Sequence, residues 1–455
     1  MPLLDALFRS NALDQLFSDT ADLQGMLDFE AALARAEART GVIPVAAAPA
    51  IAAKCQANLF DKEALQSAAA LAGNLAIPLV KQLTALVAKD DKDAARHIHW
   101  GATSQDAIDT GRILQLRKAL EIITSDLDRV THTLAQLAEK YRATPIAGRT
   151  WLQQALPTTF GLKLAGWLDA LDRHRARLRE TQKRCLVLQF GGAVGTLASL
   201  HSKGLEVAQA LAEDLRLGLP ALPWHAHRDR LAEIATTMGL LAGTLGKIGC
   251  DISLLMQTEV AEVSEPAGEG RGGSSTLPHK RNPVTSAVLL AAAMRVPSLV
   301  STMLSGMVQQ HERGLGGWHA EWETLPEIVQ LTGGGLHHLA EMLPNLKIDA
   351  AKMRDNLEIT HGLLAAEAIA MTLGGVIGRA AAHELLEAAS HRAITEGKNL
   401  REILSENPEV TKQLDARKMD ELFDAAKYLG VADELINGVL ASHRAAKSKS
   451  TKESE

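Results

Sequence analysis

The stretch "LAEIATTMGLLAGTLGKIGCDISLL", Leu231 to Leu255, places apolar residues at Leu231, Ile234, Met238, Leu241, Leu245, Ile248, Ile252 and Leu255. The steps alternate between three and four, which is a heptad seam sustained over several helical turns. A second seam runs through Ile113, Leu116, Leu120, Ile123, Leu127, Val130, Leu134 and Leu137, in a helix expected to start near Ile108. Helices this long bury a stripe against partners lying nearly parallel to them. The first quoted stretch also holds Gly239, Gly243, Gly246 and Gly249, which permit close backbone approach at a cost in helix propensity. Two seams of this length fit a bundle inside one subunit, and at least as well a bundle shared between copies.

Composition agrees with closely packed helices. Of 455 residues, 46% are hydrophobic, 22% are charged and only 3% are aromatic. The length is ample for a large core. A net charge of -6 gives no reason to expect a nucleic-acid partner, so any anion site must be local. Cys55, Cys185 and Cys250 lack metal-type spacing and read as reduced thiols of a cytoplasmic protein. The start "MPLLDALFRSNAL" is broken by Asp5 and Arg9, which makes it a poor secretory signal. No uninterrupted apolar run reaches membrane-spanning length, and no membrane partner is expected.

The chain therefore reads as all-α. Shorter helices are expected over 1–107, a long-helix bundle over 108–345 and a further helical set over 346–442. The tail 443–455, "HRAAKSKSTKESE", has no apolar periodicity and is expected to be disordered. Within the middle segment, one helix is expected from about Pro157 to Leu188. Another is expected from about Pro283 to Gln310, with a kink at Pro297.

Three polar stretches interrupt the pattern. The first is "HIHWGATSQDAIDT", His97 to Thr110. Thr103, Ser104 and Asp106 stand where a helix begins, and capping alone accounts for them. The same geometry presents N–H groups and hydroxyls to a carboxylate. His97 and His99, without partner carboxylates or cysteines, make a weak metal site, and no metal is expected. The second stretch, "AGRTWLQQALPTTFG", gathers Arg149, Thr150, Gln153 and Gln154 around Trp151. The third is "GRGGSSTLPHKRNP", Gly270 to Pro283. Glycines precede Ser274-Ser275, while Lys280 and Asn282 follow. Glycine-rich loops are often merely turns, but a mobile loop that closes over a ligand can exclude water and complete a site. "GGAVGT", Gly191 to Thr196, lacks the spacing of a dinucleotide fingerprint.

Together and in this order, these stretches resemble the fumarase/aspartase superfamily. "GSSTLPHKRNP" is similar to its signature loop, with Leu277 in place of Met, and "TSQD", "GRTWLQ" and "GGAVGT" match its other regions. The resemblance covers nearly the whole chain. It implies an all-α homotetramer with a central helical bundle and active sites shared between subunits. It further implies a proton transfer next to a carboxylate, through an aci-carboxylate intermediate, without a cofactor. By position, Ser274, Lys280 and Asn282 match the catalytic residues. His99, Thr103, Ser104, Arg149, Thr150, Trp151, Gln153, Ser275 and Arg313 match substrate contacts.

One departure bears on the reaction. Many members carry His where this chain has Trp151, and that His helps protonate a poor leaving group. An indole cannot do this near neutral pH. A leaving group that needs no proton fits instead, and a carboxylate, with a pKa of about 4, is one. Within one molecule that reaction is lactone opening or, in reverse, lactonisation. The lactonising branch of the superfamily is the best match, acting on a small tricarboxylate. Arg149, Lys280, Arg281, Arg313 and Arg271 are candidates for meeting its charge. An adenylosuccinate-lyase-like elimination and a non-catalytic member remain open. "GLGGWHAEW" after Glu312-Arg313 lacks the Ser and further Arg that hold a nucleotide phosphate.

Overall fold

The computed structural model describes residues 3–266, 272–274, 276, 277 and 279–454. Its long helices are α1 (Asp19–Arg39), α2 (Ser104–Lys140), α3 (Phe160–Cys185), α4 (Asp229–Leu255), α5 (Val284–Ser305), α6 (Gly317–Met342) and α7 (Ala432–Ser454). Shorter helices fill most of the rest. The class is all-α, with two small antiparallel strand pairs added. One joins β1 (Pro145–Thr150) to β2 (Gln153–Thr159), and the other joins β3 (Val263–Ser264) to β4 (Lys347–Ile348).

Both heptad seams are buried. Every seam position of α4 is buried, and every one of α2 except the half-buried Leu137. This burial is reached inside a single chain, so these stripes serve the subunit's own core. Two of the α4 glycines, Gly239 and Gly246, sit at close approaches, whereas Gly243 faces open space. A Cβ at Gly246 would lie 2.4 Å from the Ala293 Cβ of α5, and one at Gly239 would lie 3.0 Å from Val300 Cγ2. Only glycine lets the two backbones come this close. Helix α5 runs on with Pro297 inside it.

Two expectations are corrected. Pro157, Thr158 and Thr159 do not open the third helix; they end β2, and α3 begins at Phe160. The threonines favour extended backbone, and Thr159 then caps α3, its Oγ1 accepting from Leu162 N–H at 3.0 Å. The terminal segment is also more regular than expected, since α7 continues to Ser454. Its alanines, lysines and glutamates are good helix formers even without an apolar stripe. Buried His443 anchors the segment, with Nδ1 2.9 Å from Asp172 Oδ2.

The chain divides into two compact units that do not follow the linear segments read from the sequence. The first comprises Met1–Asp128, His174–Lys247 and Val288–Leu339, and the second Arg129–Arg173, Ile248–Ala287 and Ala340–Glu455. Helix α2 contributes residues to both, because it is longer than either unit needs. In the second unit, a separate core gathers Ile369, Leu373, Leu386, Leu400 and Leu404.

In the first unit, α1 buries two carboxyls on one face, Glu30 and Glu37, seven residues apart. Neither oxygen of Glu37 has a partner among the described residues. Burial, with the nearby charge of Glu30, pushes the Glu37 carboxyl up to about 9 from an ordinary 4.5. The folded chain thus holds this proton more tightly than the unfolded one. Its contribution to stability is complete below about pH 4.5 and is lost as pH rises towards 9. Glu37→Gln removes that loss. Its stability advantage over the parent should grow by on the order of 3 kcal/mol between pH 5 and pH 8. Parallel stability–pH curves from urea unfolding of the two proteins would refute this.

Candidate active site

The start of α2 is built around Asp106, which is completely buried. Its Oδ2 accepts from Thr103 N–H at 3.0 Å, closing the first turn of the helix. Its two oxygens also accept from the N–H groups of Gly191 (3.1 Å) and Gly192 (2.9 Å), and His225 Nε2 lies 2.7 Å from Oδ1. One carboxylate therefore ties "TSQD" to "GGAVGT". Gly192 has φ +67°, and a Cβ there would come 2.9 Å from Gly101 O, so the second stretch can lie against the first only as glycine. Thr103 and Ser104 are left half-buried at the positive end of a long helix.

An arginine and a histidine join this cluster within the same unit. Arg313 donates from Nη2 to Ala193 O at 3.0 Å, which brings it to "GGAVGT". Its Nε is buried and has no partner among the described residues, so it keeps a donor for an anion. His99 sits in a left-handed backbone conformation, φ 57°, with Nδ1 2.6 Å from Glu30 Oε1.

A second network fixes the same helix one turn on. Arg228 is buried between Asp109 and Glu321, with Nη1 2.6 Å from Asp109 Oδ2 and Nε 3.0 Å from Glu321 Oε1. Trp318 Nε1 and Gln105 Nε2 also donate to Asp109, at 3.0 and 3.1 Å. The Arg228 guanidinium lies 4.9 Å from the Trp224 ring centroid. Burial pushes the Glu321 carboxyl up, against the pull of Arg228.

The second unit carries the other two stretches. "GRTWLQ" forms the tip of the β1–β2 hairpin, with Trp151 and Leu152 at φ 52° and 65°. Trp151 is 98% exposed and Leu152 74%. Thr150 and Gln153, paired across the tip, are exposed as well. Arg149 is turned the other way. It makes a two-pronged ion pair with the fully buried Glu262, Nη1 to Oε2 at 3.0 Å and Nη2 to Oε1 at 2.7 Å. Asn356 Nδ2 donates to the same carboxylate at 2.9 Å. The structure therefore gives Arg149 the task of holding the hairpin, with its charge already balanced.

The signature loop is clamped at its base. Buried Glu265 accepts from Thr285 N–H (2.9 Å), Ser286 N–H (2.8 Å) and Ser286 Oγ (2.8 Å) at the start of α5. A carboxylate there also meets the positive end of the helix. Farther out, Asn282 N–H donates to Gly272 O at 2.9 Å and Asn282 Nδ2 to Gly273 O at 3.2 Å. Ser274 Oγ accepts from Leu277 N–H (3.0 Å) and Thr276 N–H (3.3 Å). Two backbone donors on one hydroxyl oxygen stabilise negative charge there as its proton leaves. Ser274 and Asn282 are half-buried, and the ammonium end of the loop, Lys280 and Arg281, is exposed. Ser275 and Arg271 lie outside the described residues. Among the described residues, no group of three or more His, Cys, Asp and Glu side chains is placed to hold a metal.

Comparison with known proteins agrees with these motifs. The sequence matches a family described as "Lyase" over residues 9–298, and one described as "Adenylosuccinate lyase C-terminus" over residues 362–439. The chain belongs to the fumarase/aspartase lyase family. A 3-carboxy-cis,cis-muconate cycloisomerase of Pseudomonas aeruginosa is 57% identical, covering 97% of this chain and 96% of that protein. One of Bradyrhizobium diazoefficiens is 53% identical, covering 97% and 98%. The crystal structure of 3-carboxy-cis,cis-muconate lactonizing enzyme from Pseudomonas putida superposes with a TM-score of 0.94 at 52% identity, covering 98% of this chain and 100% of that one.

Within this lyase fold the sequence-selected residues fall into two groups. His99, Thr103, Ser104 and Arg313 gather in the first unit; Thr150, Trp151, Gln153, Ser274, Lys280 and Asn282 belong to the second. The supporting carboxylates Glu30, Glu262 and Glu265 were not selected from sequence. None carries a local signal, since each finds its partner far along the chain. Asp106 did carry one: a threonine followed three residues later by an acid at a helix start.

Proposed function

We propose that the chain is a cycloisomerase that converts 3-carboxy-cis,cis-muconate to 4-carboxymuconolactone, a step of protocatechuate degradation through the β-ketoadipate route. The observation that carries this reading is Trp151 in the position of the superfamily's acid–base His, in a chain whose signature loop departs from the pattern at Leu277 alone. An internal carboxylate oxygen forms a bond to the β carbon of the neighbouring unsaturated acid. The electron pair of the double bond moves into that acid's carboxylate, giving an aci-carboxylate held by Lys280 and Asn282. Ser274 then delivers a proton to the α carbon. The attacking oxygen is already ionised, so no acid is required at position 151. His99, Thr103, Ser104 and Arg313 receive the remaining carboxylates, with Thr150, Gln153 and Ser275 completing the contacts. No cofactor enters these steps.

The active unit is proposed to be a cytoplasmic homotetramer with sites shared between copies. The seams do not supply this interface, being already buried. Exposed apolar surface elsewhere supports it. Trp151 and Leu152 stand out at the hairpin tip, and only 28% of the most apolar window of α5 is buried, with Met294 78% exposed. Helices α4 and α5 are long and apolar enough to cross a membrane by length and composition; their faces are read here as bundle contacts.

An adenylosuccinate-lyase-like elimination is the second reading, favoured by the match over residues 362–439. One pair of assays separates the two. The parent should consume 3-carboxy-cis,cis-muconate, followed by loss of its ultraviolet absorbance, and Trp151→His should leave that rate level or lower it. A parent without lactonising activity, together with elimination from adenylosuccinate gained in Trp151→His, would overturn the cycloisomerase reading.

A further inference from the structure

Glu30 and Glu37 lie on the same face of α1, and their circumstances differ in one respect. Glu30, 2% exposed, has a side-chain partner: its Oε1 lies 2.6 Å from His99 Nδ1. Its Oε2 has no partner among the described residues, and Glu37 has none for either oxygen. A carboxyl buried without a partner stays protonated, and one beside a cation keeps its charge. The short contact with Glu30 therefore favours the protonated form of His99. The turn that delivers His99 is bent for this contact, with left-handed backbone at His99 (φ 57°) and again at Gly101 (φ 72°). A non-glycine residue held there is uncommon and needs surrounding structure to keep it. With Nδ1 engaged, Nε2 is the ring nitrogen left for a ligand.

We propose that Glu30 is a positioning residue for the reaction: by gripping Nδ1, it sets His99 as an imidazolium whose Nε2–H receives one carboxylate of the substrate. This rests on the reading of His99 as a substrate contact in an enzyme acting on a tricarboxylate. Burial works against the charged ring, but the charge and hydrogen bond of Glu30, helped by Asp106, outweigh it and raise the His99 pKa. The other titratable groups facing Glu30 are Glu37, neutral up to about 9, and Cys55, whose thiol burial also holds neutral.

In the full-length protein, Glu30→Gln should raise KM about ten-fold and change kcat less than about three-fold, the pattern of lost charge-assisted binding. His99→Gln should do the same, and the double variant should be no worse than either single one, because Glu30 acts through His99. Losses that multiply, or a Glu30→Gln protein with the parental KM, overturn the proposal. A second measurement uses the parent alone. Nitrogen NMR of the substrate-free protein should find both ring nitrogens of His99 protonated at about pH 7. A neutral ring there overturns the proposal even where Glu30→Gln fails to fold. That spectrum needs no substrate. A chain that keeps its His99 imidazolium but does not lactonise loses the activity reading and retains the Glu30 grip.

Discussion

Ser274→Ala should lower kcat by about 10² or more while leaving KM within about three-fold. The expectation follows from the loop. The Ser274 hydroxyl oxygen receives two backbone N–H groups, from Thr276 and Leu277. In the proposed mechanism, those donors meet the charge that appears on oxygen when the proton moves to carbon. Alanine leaves the exposed cation at Lys280 in place but removes the hydroxyl proposed to exchange the proton, and with it the acceptor of the Thr276 and Leu277 N–H groups. Binding of the carboxylates is untouched, so the loss falls on turnover. A second readout follows from reversibility. In heavy water the parent should wash solvent deuterium into the α carbon of the lactone, and Ser274→Ala should not. Near-parental turnover or retained exchange in the variant would transfer the proton to another group.

The helical class was legible in the sequence because α2 and α4 repeat one signal over many turns. Sixteen seam positions alternate in steps of three and four, and all but Leu137 are buried. The site motifs were legible for a different reason: each is short and chemically unusual. What could not be read was anything whose meaning lies in a distant partner. Arg149 looks like an anion contact within "GRTW", yet its charge goes to Glu262, more than a hundred residues away. The β1–β2 hairpin was hidden because two short strands in a helical chain give no sustained alternation, and Pro157 suggested a helix start instead of a strand. The seams likewise carried no statement of which chain would cover them. Trp151 and Met294, which are exposed and support the proposed assembly, belong to no periodic pattern.

Arg228→Met should destabilise the protein by about 3–5 kcal/mol. The Arg228 guanidinium is buried and answers two carboxylates, Asp109 and Glu321, which are also buried. Methionine fills much of the same volume and still packs on Trp224, so the cost comes from charge. Two carboxyls lose the cation held between them, and each must either stay ionised in a largely apolar setting or take up a proton. Burial already pushes Glu321 upward, which marks it as the group that protonates first. The loss should therefore be smaller at acid pH than at neutral pH. If charge is the cause, neutralising the partners reverses it: Arg228→Met combined with Asp109→Asn and Glu321→Gln should recover most of the stability in urea unfolding. If shape is the cause, the triple variant stays as unstable as the single one. Activity adds a further distinction. Asp109 lies one turn beyond Asp106 on α2, so a repaired triple variant restores the helix that presents Thr103 and Ser104, and with it the KM for the tricarboxylate. A single variant as stable as the parent would show instead that the network contributes no net stability, and that its place in the fold is to fix the first turns of α2 in register with "GGAVGT".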